Sequence, residues 1–247
     1  THDTASIQAA TYLKAVEAGV DVIDVALGGL SGLTSQPNFN SVAEMLKFHE
    51  RGRKFNTRKL NEYSNYWETV RTYYYPFESG LKAGTGEVYQ HEIPGGQYSN
   101  LRPQAESLGL LDRFHEITSM YGKVNDLFGD VIKVTPSSKV VGDMAQYLVS
   151  NNLSIEDVLE RGEELSFPAS VQSFFKGDLG QPHGGFPEKV QKIILKGEEP
   201  YTERPNAHLD PVDFENEFEE FKTLFSEGMG RDLEITDFLS YKLYPKV

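Results

Sequence analysis

GVDVIDVALGG, residues 19–29, decides how the rest of the chain is read. Val20, Val22, Ile23, Val25 and Leu27 favour extended backbone, and the paired glycines at 28 and 29 close the run. Before it, Asp3 or Thr4 is placed to cap a helix over residues 4–18 with Ile7, Ala10, Leu13 and Val16 on its inner face. Gly19 suits the left-handed position past that helix. After the run, a loop of Gly, Ser, Thr and Pro extends to Pro37, and Ser41-Val42-Ala43-Glu44 reads as a capping box. The helix it opens carries Met45, Leu46 and Phe48 and stops at Gly52. Helix, short buried strand, polar loop and helix is the alternation of an α/β layer with a parallel strand. A single strand cannot close a barrel, so its partners are expected to be missing or to lie upstream of Thr1.

Beyond residue 53 the pattern changes to long helical periodicities. Helices are predicted near 57–76, 97–109, 112–128, 137–151, 154–163, 168–176, 187–196, 211–227 and 235–243, and the one further candidate strand is 130–134. Two domains follow from this shift, 1–53 and 54–247. No repeat of fixed period occurs, and glycine- or proline-rich joints fall at 84–86, 94–96, 180–187 and 200–211, with 79–86 a flexible exit from the preceding aromatic segment.

The chain of 247 residues is 38% hydrophobic, enough for a sizeable core. Its 24 Lys and Arg against 37 Asp and Glu give a charge of -13, which repels nucleic acid and anionic lipid in the absence of a basic patch. Much of the acid lies in DFENEFEEF, residues 213–221, which reads as a helix with a solvated acidic face. The absence of cysteine excludes disulfides and thiol catalysis. With no apolar run of about 20 residues and no signal-peptide pattern, a soluble cytoplasmic protein is expected, with no nucleic-acid or membrane partner. The opening Thr1-His2-Asp3, without Met, reads as part of a longer chain.

Several stretches could carry chemistry. His2 is a metal-ligand candidate, but a metal site needs three or four ligands, and His49, His91, His115, His183 and His208 are scattered; a surface His is the plainer reading. The loop at 28–37 could line a pocket, yet it matches no phosphate-binding spacing and is as well read as a strand-to-helix turn. EIPGGQY, residues 92–98, brings backbone close to whatever faces it, and Gln97 either binds a polar ligand or begins a helix. Tyr63, Tyr66, Trp67, Tyr73, Tyr74, Tyr75 and Phe77 form a stripe expected in a core or an oligomer contact. In KVTPSSK, residues 133–139, Thr135 and Pro136 read as a helix N-cap and first helical residue, with Lys139 adding charge one turn on. That is sufficient as a cap, and it equally builds a pocket for a carboxylate in which Thr135 could relay a proton without forming a stable alkoxide.

Taken together, THDT at 1–4, VIDVA at 22–26 with SGLTSQP at 31–37, EIPGGQY at 92–98 and IKVTPSSKVVGD at 132–143 resemble the carboxyltransferase domain of the biotin-dependent pyruvate carboxylase family. The likeness runs on through ELSFP at 164–168 and GGFP at 184–187. It implies the C-terminal part of a TIM (β/α)8 barrel in residues 1–53, followed by a mostly α-helical funnel in 54–247. The implied reaction moves a carboxyl group from carboxybiotin to pyruvate, giving oxaloacetate, with Thr135 as proton shuttle and Ser138, Lys139 and Gln97 as biotin or substrate contacts. It also implies a divalent ion, manganese or zinc, with His2 as one ligand and the others upstream. The resemblance further implies ATP and Mg2+ in a separate biotin carboxylase domain, a homotetramer, and an inactive fragment when isolated. The alternatives are an oxaloacetate decarboxylase or transcarboxylase subunit built on the same domain, or a non-catalytic helical assembly module.

Overall fold

The structure, a computed structural model, describes residues 1–78 and 80–245. Ser79, which opens the expected flexible exit at 79–86, and the side chain of His208 lie outside the described residues. The chain forms two compact units, Thr1–Arg204 and Pro205–Val247.

In the first unit, helix α1 spans Gln8–Glu17, starting later than residue 4. Ser6 takes a left-handed φ of 57°, and its N–H closes a turn on the Asp3 carbonyl. Neither Asp3 nor Thr4 is the N-cap, which is Ile7 without a side-chain cap, but the Asp3 carboxylate accepts from the free Gln8 N–H at 3.2 Å. The turn also rotates the helix, so Gln8, Tyr12 and Val16 are buried while Ile7 is exposed. Gly19 has the expected positive φ, 99°.

The decisive stretch departs from its prediction. Residues 20–25 form no strand, and the only pairing among the described residues is a parallel bridge between Ala26 and Asn38, with Ala26 N to Pro37 O at 3.1 Å and Phe39 N to Ala26 O at 2.7 Å. A strand becomes a ladder only where neighbours supply donors and acceptors, and among the described residues no other segment lies alongside. Val22 is accordingly 74% exposed, whereas Ile23 and Val25 pack on Val16, Val42 and Leu46. Helix α2, Phe39–Met45, is capped by Asn38, whose side chain accepts from Ser41 N at 3.1 Å. The predicted Ser41–Glu44 capping box is therefore absent: Ser41 already lies within the first turn, and Glu44 pairs with Lys47.

The remaining helices of this unit follow their periodicities closely. They are α3 (Thr57–Arg71), α4 (Val88–His91), α5 (Gly95–Ser107), α6 (Phe114–Leu127), α7 (Ser137–Ser150), α8 (Ile155–Arg161), α9 (Ala169–Lys176) and α10 (Glu188–Leu195). Only the short α4 was not anticipated. The 130–134 segment is irregular, with no strand. Leu101 of α5, Ile117 and Tyr121 of α6, Met144 and Leu148 of α7 and Phe175 of α9 are fully buried at the centre of one apolar cluster. The aromatic stripe is not in that core. Tyr63, Tyr66, Tyr73, Tyr74, Tyr75 and Phe77 are exposed, because α3 turns its small residue Ser64 inward, where its hydroxyl accepts from Gly28 N at 3.0 Å. Gly29 lies so close to α3 that a Cβ there would stand 2.6 Å from the Ser64 carbonyl oxygen.

The second unit contains α11 (Phe214–Met229) and α12 (Ile235–Leu243), joined through buried Phe221, Leu233 and Phe238. Asp213 caps α11 by accepting from Asn216 N, and Glu217, Glu219 and Glu220 lie on its polar surface as the acidic pattern predicts. No helix among the described residues is long and apolar enough to cross a membrane.

Candidate active site

Two segments 40 residues apart are built as one structure. The first begins at buried His91, whose Nδ1 accepts from Ile93 N at 3.0 Å. Burial lowers its pKa, keeping the imidazole neutral and able to accept. Glu92 then takes a left-handed φ of 55°, Ile93 is fully buried, and Pro94 precedes α5. Gly95 opens that helix beneath His2: a Cβ would stand 2.7 Å from His2 Cγ. The half-buried His2 has its pKa lowered by burial, so its ring is also neutral. A cleft of about 280 Å3 lies between them, lined by His2, Thr4, Gln8, Tyr89, Glu92 and Gly95.

Gln97, one turn into α5, is buried, and its Nε2 has no hydrogen-bond partner among the described residues. It rests on α7 at Gly142, where a Cβ would come within 2.7 Å of Nε2. Glycine at this helix position is what lets α5 approach.

The second segment is held from both ends. Lys133 Nζ donates to Glu92 Oε2 at 2.7 Å and reaches Asp130 Oδ1 at 3.4 Å. Asp130 also accepts from Asn125 at 2.8 Å, and that bond, with Lys133 beside it, holds its carboxyl below the usual carboxylate range. Ser137 Oγ is 2.6 Å from the carbonyls of both Ile132 and Val134 and accepts from Val134 N at 3.2 Å. The Thr135–Pro136 bond is cis, and α7 begins at Ser137 with no side-chain cap. The predicted Thr135 cap is therefore replaced by backbone: Val134 O accepts from Ser138 N, and Pro136 O from Lys139 N and Val140 N. That leaves Thr135 exposed, with a hydroxyl that makes no hydrogen bond among the described residues. A hydroxyl not committed to a cap can both give and take a proton.

Ser138 is buried, and its carbonyl accepts from the Tyr121 hydroxyl at 3.2 Å. Burial pushes the Tyr121 pKa up, so it remains a donor. Lys139 is exposed and pairs with Asp143, which also accepts from Ser170 at 2.6 Å. Thus His2 contacts Gly95, Gln97 contacts α7, and the Thr135 loop is tied to Glu92. Of the remaining histidines, His91 lies in these segments, and the side chain of His208 is outside the described residues. No group of three or more His, Cys, Asp or Glu able to hold a metal occurs among the described residues, so this chain's residues do not by themselves fit a divalent ion. In the 28–37 loop, Gly28 N, Ser31 N, Gly32 N and Ser35 N are bonded within the protein, which favours the plain turn. Sequence reasoning missed the Glu92–Lys133 pair and Tyr121. A partner 41 positions away leaves no local signal, and Tyr121 sits in an ordinary apolar stripe.

Residues 88–247 match the family of the conserved carboxylase domain. The chain belongs to that family. Over all its 247 residues it is 54% identical to the pyruvate carboxylase of Bacillus subtilis and 51% identical to that of Staphylococcus aureus. It spans 21% of the length of each. It is also similar, at 50% identity and a TM-score of 0.93, to the carboxyl transferase domain of Rhizobium etli pyruvate carboxylase solved with pyruvate and biocytin, covering 100% of this chain and 41% of that one. Against the complete multifunctional pyruvate carboxylase of the same organism the TM-score is 0.92 at 50% identity, covering 100% and 24% respectively.

Proposed function

We propose that this chain is part of the carboxyltransferase domain of a multidomain, biotin-dependent pyruvate carboxylase and acts in carboxyl transfer from carboxybiotin to pyruvate, giving oxaloacetate. The observation that carries this reading is the likeness along the entire chain to a carboxyl transferase domain that holds pyruvate and biocytin. The site supports it independently, because the reaction must remove a proton from the pyruvate methyl group and supply one to biotin. Thr135 Oγ1 can accept the first while giving its own, returning to the same neutral hydroxyl. It sits near the start of α7, where the positive helix end and Lys139 favour a carboxylate. Ser138, Lys139 and Gln97 are assigned to holding biotin or substrate. Lys139 is exposed and able to reach, whereas Gln97 offers an amide donor that nothing among the described residues satisfies.

In this reading, residues 1–53 are the end of the TIM barrel and 54–247 the helical funnel. The separate small core of Val16, Val42 and Leu46 and the parallel bridge between Ala26 and Asn38 support that division. Carboxybiotin supplies the carboxyl group. A manganese or zinc ion would take His2 as one neutral ligand and need its other ligands from outside this chain. ATP and Mg2+ serve a biotin carboxylase domain elsewhere in the parent, which we assign as a cytoplasmic homotetramer.

The intact enzyme should form oxaloacetate from pyruvate, bicarbonate and ATP, and avidin should stop it. Consumption of oxaloacetate with no ATP-dependent synthesis would instead establish the decarboxylase. Synthesis indifferent to avidin would refute the biotin reading.

A further inference from the structure

We infer that the Lys133–Glu92 ion pair is a positioning device that sets the Thr135 loop against the start of α5, and that it tunes the rate of proton relay rather than substrate binding. This rests on the assignment of Thr135 given above. Three observations carry it. First, the pair is the only charged bond among the described residues that joins the segment leading to Thr135 to the segment leading to Gln97. Lys133 lies two residues before Thr135, and Glu92 lies five before Gln97. Second, it is constrained at both ends. The Lys133 side chain is only 16% exposed and is shared with Asp130, itself anchored to Asn125 of α6. Glu92 is fixed by its left-handed backbone between His91 and buried Ile93, with the Ile93 N–H bound to His91 Nδ1. Third, Thr135 has no side-chain anchor of its own, so the place of its hydroxyl is set by the loop around it.

Proton transfer depends steeply on the separation of donor and acceptor, whereas a carboxylate held by charge tolerates a small shift. Loss of the pair is therefore expected to fall on kcat and to leave KM for pyruvate nearly unchanged. The pair is assigned to positioning, with Thr135 as the group that exchanges the proton.

The test uses the intact enzyme with Lys133→Met, Glu92→Gln, the double variant and Lys133→Arg. Each is assayed for oxaloacetate formation, for KM of pyruvate and for ATP cleavage in the biotin carboxylase half-reaction. Each single variant is expected to lose about 10- to 100-fold in kcat for oxaloacetate, as for a misplacement of about 1 Å. ATP cleavage and KM should hold, the double variant should be no slower than the worse single, and Lys133→Arg should recover most of the rate. Additive losses in the double variant, an unchanged kcat, or a fall in kcat matched by ATP cleavage and thermal stability would each overturn the inference. Thr135→Ala is run alongside to separate the two ideas. If it keeps its rate, the relay reading fails; if it loses its rate while the Lys133 and Glu92 variants do not, only the positioning claim fails.

Discussion

Gly142→Ala puts the contact between α5 and α7 to a quantitative test. Glycine within a helix costs about 0.5–1 kcal/mol relative to alanine, so on propensity alone the change should stabilise. The new Cβ would, however, lie 2.7 Å from Gln97 Nε2 and 3.0 Å from Leu101 Cδ1. Leu101 is 0% and Gln97 7% exposed, so neither side chain has solvent to swing into. Overpacking of this kind costs about 1–3 kcal/mol. The balance is a net loss of about 1 kcal/mol in α7, and a displaced Gln97 should weaken whatever its amide holds. Removing the nearest obstacle should change the sign. In a Gln97→Ala background the added methyl enters space the amide has vacated, and the same substitution should become neutral or stabilising by up to about 1 kcal/mol. The assay is a four-variant cycle in the intact enzyme, reading the local stability of α7 from amide hydrogen exchange. Stabilisation by Gly142→Ala in the native background, or an effect independent of Gln97, would refute the packing argument.

Two further outcomes are expected. His91 is buried with a pKa below its ordinary 6.5, so below that value the unfolded chain binds more protons than the folded one, and stability should fall as pH drops through 6.5. The loss should be centred on the 88–95 segment in hydrogen exchange and should be smaller in His91→Gln. Ser137→Ala removes the hydroxyl that ties Ile132 and Val134 together, at a cost of about 1 kcal/mol, and should raise exchange in residues 132–137 before any other part of α7.

The helices beyond residue 53 were legible because each buries one face at the helical period, as in α6, where Phe114, Ile117, Tyr121 and Val124 turn inward. The stretch at 20–27 was legible as backbone preference but not as a strand, since pairing is a property of neighbours. The start of α1 was misplaced because a left-handed Ser6 intervenes, a state that nothing in its neighbours' types announces. At Thr135 the expected helix cap does not form. Thr-Pro is the ordinary spelling of a helix start, yet the bond is cis and Ser137 organises the turn. The His2–Gly95 and Gln97–Gly142 contacts pair residues from separate motifs, and only folding reveals that the glycines are there to make room.

The most direct test of the account is the rate of oxaloacetate formation in the intact enzyme with threonine, serine and alanine at position 135, using ordinary pyruvate and pyruvate deuterated at the methyl group. A relay predicts that Thr135→Ala loses oxaloacetate formation while biotin-dependent ATP cleavage continues. It also predicts that Thr135→Ser keeps part of the rate, slowed by the deuterium. Near-normal synthesis by Thr135→Ala, with the isotope effect unchanged from the threonine enzyme, would contradict it.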